Sequence, residues 1–335
     1  MDPDQTTEDN VSKRNRTSSV IRTFANQDLT SCWMNSCLQS ILNVLDNVVE
    51  LQSTGTELWD SLVILKNQDK TTPIDPEIIK ELMYRIEKQR IIFFGVAPEY
   101  RLFHFNMTNA MRFEDLELIQ PGGQQDCKDF FLCLQENKEN WEDVNSLFNF
   151  SLKSYTVCSH CGNTSDSGTV YNQMILNLSA TMEPVPLNSH IFSKIEWPTV
   201  VDGWRHEDGC GEITVGSENF TKITDVTDMK FLIVVIERLT VVDGIPLINK
   251  VKTPVDEKLV LHDIDNNSAE FQPISVIHHS GYVTSNRDTR GHYMCDVFDV
   301  GSSQWYQTSD EERPVPISKP ADNGYIIIYR KIRES

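Results

Sequence analysis

The chain has 335 residues, 39% of them hydrophobic, and sets 49 acidic against 30 basic side chains for a formal net charge of −19. That is enough apolar material for a large core, in one domain or two lobes around a cleft, and it excludes a disordered chain. A pI near 4.8 argues against a nucleic-acid partner, which would need lysine and arginine, and leaves solubility or the attraction of a basic partner as the use of the charge.

Residues 1–22 are polar and unpatterned and are expected to form a disordered leader, with the fold starting between Val20 and Phe24. The leader opens MDPDQTTEDN, without the basic and apolar regions of a secretory signal, and no run of 18 uncharged apolar residues follows. An intracellular protein of cytoplasm or nucleus, with no membrane partner, is therefore expected. The eight cysteines then read as reduced thiols, metal ligands or a nucleophile. Apolar residues Met34, Cys37, Leu38, Ile41, Leu42 and Leu45 recur at helical spacing, which predicts an amphipathic helix from Cys32 to Leu45 with Cys32 in its first turn. Further helices are expected near residues 55–66, 75–90 and 125–136, the second opened by Asp75-Pro76.

Beyond residue 145 the pattern turns to strands. KFLIVVIERL (230–239), FQPISVIHH (271–279), HYMCDVFDV (292–300) and GYIIIYRK (324–331) are β-branched or aromatic runs separated by Gly, Asp and Asn. The fold class is α+β, a helical lobe against a largely antiparallel sheet. No phosphate loop or dinucleotide fingerprint supports a nucleotide-dependent reaction.

A cysteine at a helix N-terminus meets the positive end of the helix dipole, which favours its thiolate. Cys32 has that place, and Cys37, on the apolar stripe, reads as packing. A nucleophile also needs a base. Among the eight histidines, His292 opens a strand after TRG, where an imidazole can face a cleft, while His278 and His279 end the preceding strand. Thiolate on a helix and imidazole on a facing sheet is the arrangement of a thiol hydrolase, although buried core cysteine is an equally good reading of Cys32 alone.

Five segments in order resemble the ubiquitin-specific protease family of deubiquitinating cysteine proteases. TSCWMNSCLQS (30–40) resembles the family's cysteine box, GGQQDCKDFFLCL (122–134) its Gln-Gln-Asp box, and VIERL (235–239) the strand that usually ends Lys-Arg-Phe. GHYMCDVFD (291–299) with WYQTSDE (305–311) is similar to the histidine box, and GYIIIYRK to the closing strand. The resemblance implies a papain-like superfold in a hand architecture: a thumb at 23–148, fingers at 149–228 and a palm at 229–335. A papain-like peptidase proper, suggested by Ser31-Cys32-Trp33, does not share the histidine and Gln-Gln-Asp boxes.

The implied reaction is hydrolysis of the peptide or isopeptide bond after the last glycine of ubiquitin or a ubiquitin-like modifier, with no cofactor for catalysis. Cys32 is then the nucleophile and His292 the base. The family's third member, an Asp or Asn, falls at Ser309, with Asp310 next to it, so either can orient the histidine. The family's oxyanion Asn lies five residues before the cysteine; Gln27 stands there and Asn26 one residue earlier, so either amide is a candidate. Gln125 and Asp126 occupy the family's substrate-channel positions, where a carboxylate suits the arginines of the ubiquitin tail. Cys158-X-X-Cys161 has zinc-knuckle spacing, and by the resemblance His206 and Cys210 would complete a structural zinc site; ordinary loop residues are the competing reading. The departures at 27–31 and at Ser309 also admit a ubiquitin-binding pseudo-protease, and the shared Gly-Gly tail admits an interferon-induced or SUMO-like modifier as substrate.

Overall fold

Six consecutive apolar residues, Phe231 to Ile236, can all be buried only if both faces of their strand are covered, and all six are buried. The computed structural model describes residues 21–24, 26, 31–48, 57–70, 72–82, 126–136, 147–207, 209–242, 245–283 and 289–334. Helices α1 (Cys32–Asp46), α2 (Glu57–Asn67), α3 (Cys127–Glu136) and α4 (Leu187–Ile195) are joined by a helical segment at 76–82. The strands in chain order are β1 (Phe150–Val157), β2 (Thr164–Gln173), β3 (Ile175–Ser179), β4 (Thr199–Val201), β5 (Trp204–Arg205), β6 (Ile213–Thr214), β7 (Ser217–Ile223) and β8 (Phe231–Glu237). They continue with β9 (Leu239–Val242), β10 (Ile245–Ile248), β11 (Leu259–His262), β12 (Ser268–Val283), β13 (Thr289–Asp299), β14 (Gln304–Thr308), β15 (Val315–Ile317) and β16 (Gly324–Glu334).

The main sheet has eight strands in the order β15-β14-β13-β12-β16-β8-β3, with β11 paired to β12. Its ladders are antiparallel except β3 on β8, which is parallel. Strand alternation divides its side chains between two cores. Ile233, Val235, Ile274, Ile277, Ile326 and Ile328 pack with α1, α2 and α3, whereas Leu232, Val234, Val276, Ile327 and Tyr329 pack with Leu187, Ile191 and Ile195 of α4. Burying each such side chain contributes about 1.5–3 kcal/mol, so the sheet is the platform that everything else stands on.

A second, antiparallel sheet has the order β2-β1-β7-β4, and β5-β6 forms a small hairpin. The 149–228 interval thus supplies both this sheet and β3 of the main one. Its alternation is weaker: β1 is buried at Phe150 and half-exposed beyond it.

Two expectations change, and a third is met within the described residues. Helix α1 keeps the expected apolar stripe but buries its polar side as well: 13 of its 15 residues are buried, because the sheet, α2, α3 and the N-terminal segment surround it. Its polar residues stay because they bond outward, as Asn43 does by donating to the Ile274 carbonyl at 2.8 Å. The helix expected over 75–90 is described to residue 82, and the remainder lies outside the described residues, as do 1–20 of the leader. Residues 21 and 22 belong to the fold, since Ile21 packs on the core and the buried Arg22 binds Asp46 at 2.7 Å. Among the described residues no helix is long and apolar enough to cross a membrane.

Arg22 also donates to the Lys66 carbonyl at 2.8 Å, so one guanidinium joins the start of the fold to the ends of α1 and α2. Asp46 puts a negative charge at the negative end of α1, and Arg22 and Lys70 offset it. Arg22→Ala is expected to cost about 2–3 kcal/mol in equilibrium denaturation, less than a fully buried pair because Asp46 is 23% exposed and keeps Lys70. A loss below about 0.5 kcal/mol, the surface-pair level, would contradict this role.

Candidate active site

Ser31 precedes α1 but makes no side-chain cap to the helix; its hydroxyl donates instead to Asn26 Oδ1 at 2.8 Å, and its N–H to the same oxygen at 3.2 Å. Cys32 therefore begins the helix with Ser31 held to Asn26. The cysteine is 1% exposed. The main-chain N–H groups of Tyr293 and Trp33 both point at its sulfur, which puts Cys32 against the middle of β13, one residue from His292; the histidine lies within this strand, which begins at Thr289 and not at His292 as expected.

The β13–β14 ladder sets the other half. Cys295 pairs with Thr308, so the residues just past β14 run alongside His292. His292, 36% exposed, places Nε2 at 2.8 Å from Ser309 Oγ and at 3.8 Å from Asp310 Oδ2. Asp310 holds a left-handed backbone with φ +45°, uncommon for a residue with a Cβ. In that turn its carbonyl accepts from Phe24 N–H at 3.1 Å. Its carboxylate accepts from Asn26 Nδ2 on one oxygen and from Asn35 Nδ2 on the other, both at 2.7 Å. Asn26 N–H also reaches Glu311 at 3.1 Å.

Asp126 stands at the other side. Its Oδ1 accepts from Lys128 N–H at 2.9 Å, capping α3, and from the Tyr325 hydroxyl at 2.6 Å at the start of β16. After burial, its charge is the next influence on Tyr293 and His279, so it lies near both side chains.

A second cluster sits at two hairpin tips. Cys158 and Cys161 lie in the turn between β1 and β2, and His206 and Cys210 between β5 and β6. Ser159 ties the first tip to the link between β6 and β7, its N–H bonding Ser217 Oγ at 3.1 Å and its hydroxyl the Val215 carbonyl at 2.9 Å. Gly162 and Gly211, each directly after a cysteine, take φ +72° and +75°, which lets both tips turn tightly. The four ligand atoms lie within 4.8 Å of one another. Cys158 and Cys210 sulfurs are 3.8 Å apart, and Cys161 Sγ is 3.3 Å from His206 Nδ1. Tetrahedral zinc with sulfur at about 2.3 Å requires sulfurs roughly 3.8 Å apart, so the set fits the ion. Main-chain N–H groups of Cys161 and His160 bring the Cys158 thiol down to about 6, the charged form a metal needs.

With both clusters located, sequence comparison decides the lineage: the model of the ubiquitin carboxyl-terminal hydrolase family matches residues 24–329. The chain belongs to the ubiquitin carboxyl-terminal hydrolase family. No curated protein matches it in sequence. Similar solved structures include the SAGA Ubp8/Sgf11/Sus1/Sgf73 DUB module bound to ubiquitin aldehyde, at TM-score 0.65 and 16% identity over 95% of this chain and 72% of that one. A Ubp8 variant of the module bound to monoubiquitin gives 0.64 and 16%, over 94% and 70%. The yeast module with an Sgf73 variant gives 0.60 and 15%, over 95% and 71%. At these identities the likeness speaks to the fold, and it agrees with the α+β architecture expected for this hydrolase. Family membership makes it a cysteine-type deubiquitinase.

Within the hydrolase, Cys32, His292, Ser309, Asp310 and Asn26 come together around one point, and Asp126 borders it. Gln27 and Gln125 lie outside the described residues. Asn35 was not singled out from sequence. Its signal was an uncharged amide three residues after the cysteine, on the same side of the helix, in a stretch otherwise given to packing. The two histidines at the middle of β12 have other partners: His278 is buried against Asp296 at 3.3 Å, and His279 packs at a tilt on Tyr293 with ring centres 4.6 Å apart.

The thiolate expected at the helix terminus is opposed by its setting. Burial is the largest influence and pushes the Cys32 thiol above the ordinary value of 9.0; the Tyr293 and Trp33 N–H groups pull it down, and the charge of Asp310 pushes it up again. Toward a small neutral alkylating agent, Cys32 should then react faster at each step from about pH 7 to pH 9, followed by peptide mapping. A rate that levels off below about pH 8 would show a thiolate already formed.

Proposed function

We propose that this deubiquitinase acts through Cys32, His292 and Ser309 on the bond after the C-terminal glycine of ubiquitin in its conjugates. The observation that carries the reading is His292 Nε2 held 2.8 Å from Ser309 Oγ while its neighbour Tyr293 donates its N–H to the Cys32 sulfur. That hydrogen bond leaves Nδ1 as the nitrogen to take the thiol proton. Because burial keeps Cys32 protonated, transfer to His292 accompanies attack rather than preceding it. The sulfur adds to the glycine carbonyl, His292 returns the proton to the leaving amine, and a thioester remains. Water then gives a proton to His292, attacks the thioester and releases the free carboxylate and the thiol.

In this reading Ser309 fixes the imidazole, and Asp310 supplies the negative charge near it. Asn26 is the oxyanion donor: its amide nitrogen carries two hydrogens, one on Asp310 and the other for the substrate oxygen. The Asp126 charge and the net charge of −19 support a tail containing arginines as the bound segment and argue against nucleic acid. An intracellular site of action follows from the same reading, because conjugates are made there. The intervals 23–148, 149–228 and 229–335 are assigned as thumb, fingers and palm. Cys158, Cys161, His206 and Cys210 are assigned to one structural zinc ion, which joins the two hairpin tips and takes no part in bond cleavage.

Ubiquitin carrying a C-terminal thiol-reactive group should form a covalent adduct with the wild type and none with Cys32→Ala. Binding without a Cys32-dependent adduct would make the protein a ubiquitin-binding pseudo-protease, and an adduct confined to another Gly-Gly modifier would reassign the substrate. Metal analysis of the purified protein should find close to one zinc per chain, lost in Cys210→Ser. A wild-type ratio near zero would dismiss the zinc site.

A further inference from the structure

We infer that Asn35 is a positioning residue of this hydrolase, holding the Asp310 carboxylate where it can direct Asn26 and stand beside His292; the inference rests on the catalytic roles proposed above. Asn35 is 2% exposed in the first turn of α1, three residues after Cys32. A buried amide is costly unless it is paired, and a leucine or alanine would suit the surrounding core better. What the amide does there is donate to Asp310 Oδ1 at 2.7 Å, across 275 residues of sequence. Asn26 donates to Oδ2, also at 2.7 Å, and that oxygen is the one 3.8 Å from His292 Nε2.

Two amides, one per oxygen, fix the carboxylate against rotation. Without the Asn35 bond, the Oδ2 contacts and the backbone are what would hold it among the described residues, and the backbone is at φ +45°, a conformation that surrounding bonds must maintain. The Phe24 N–H on the Asp310 carbonyl and the turn closed by Glu312 N–H on the Ser309 carbonyl at 2.9 Å keep the main chain in place, but neither touches the carboxylate. The Asn35 bond is therefore the direct link between the helix that carries the nucleophile and the side chain that organises the opposite wall. Because Ser309 bears no charge, the proposed mechanism depends on that wall carboxylate staying put while His292 gains a proton.

The test uses the full chain with ubiquitin bearing a C-terminal fluorogenic amide, and the variants Asn35→Leu and Asn35→Asp. Asn35→Leu, of similar size and lacking the donor, should lower kcat about tenfold or more while KM stays within about threefold, with the melting temperature close to wild type. Asn35→Asp sets a second carboxylate against Asp310, near Glu311 and His292, so its activity relative to wild type should be lowest near pH 8. The ratio should recover toward pH 5.5, where a protonated carboxyl can donate in place of the amide. Should Asn35→Leu fail to fold, the pH dependence of the isosteric Asn35→Asp ratio decides.

Wild-type kcat in Asn35→Leu, a loss confined to KM, or a pH-independent Asn35→Asp ratio would overturn the inference. Ser309→Ala and Asp310→Ala separate it from the reading beneath it. If both are impaired and Asn35→Leu is not, the inference alone fails; if both retain full activity, or the wild type releases no fluorophore, the catalytic reading fails and the inference with it.

Discussion

Helix α1 is enclosed by the main sheet, by α2 and α3 and by the N-terminal segment, and that enclosure governs the rest of the molecule. A helix buried on every side can present a reactive side chain to a substrate only at an end. The end in use is the N-terminus, where Ser31 turns its hydroxyl to Asn26 instead of capping the helix. The same enclosure removes water from Cys32 and raises its pKa, so the dipole that would favour a thiolate is outweighed by desolvation. In the proposed mechanism the base is consequently required for every turnover.

The opposite wall divides between two residues what one carboxylate could do. Ser309 contacts His292 Nε2 directly, while Asp310, one residue on, carries the charge and gathers Asn26, Asn35 and the Phe24 N–H around itself. Its positive φ is the local strain that turns both its carbonyl and its carboxylate inward. A neutral hydroxyl orients an imidazole without adding a charge at contact distance, and the Asp310 carboxylate stands 3.8 Å from the same nitrogen. The arrangement links residues from both ends of the chain, so the site exists only once the domain has folded.

The metal cluster follows a different logic. Its ligands come from two hairpin tips whose strands bury little, and β1 and β7 are mostly half-exposed. Such a sheet has a small core of its own. Binding an ion across the tips would supply the stability that packing does not, which is the usual reason for a structural zinc in a small β unit. The His206 ring is buried and stacks on Trp204 with centres 5.2 Å apart, so the ligand is oriented before any metal arrives.

The strands of the main sheet were legible because Phe231–Ile236 and Tyr325–Tyr329 are apolar at consecutive positions, a pattern that only a strand covered on both faces satisfies. Cys32, His292, Ser309 and the Cys158–Cys161 pair were legible because short-range spacing and motif order mark them. Spacing along the chain carries no information about what lies across a fold. The sequence therefore left Asn26 and Gln27 both open as oxyanion candidates, and favoured Ser309 beside the histidine with Asp310 as the alternative. It also read α1 as one-sided and passed over Asn35. The β13–β14 register, which sets Ser309 against His292, and the turn that points the Asp310 carboxylate at two amides give Ser309 and Asp310 different distances from the imidazole and tie Asn26 to Asp310, while Gln27 lies outside the described residues. Residue types and their order determined the family and the kind of chemistry; which group touches which depended on hydrogen bonds between residues more than 250 positions apart, and only tertiary structure brings those within 3 Å.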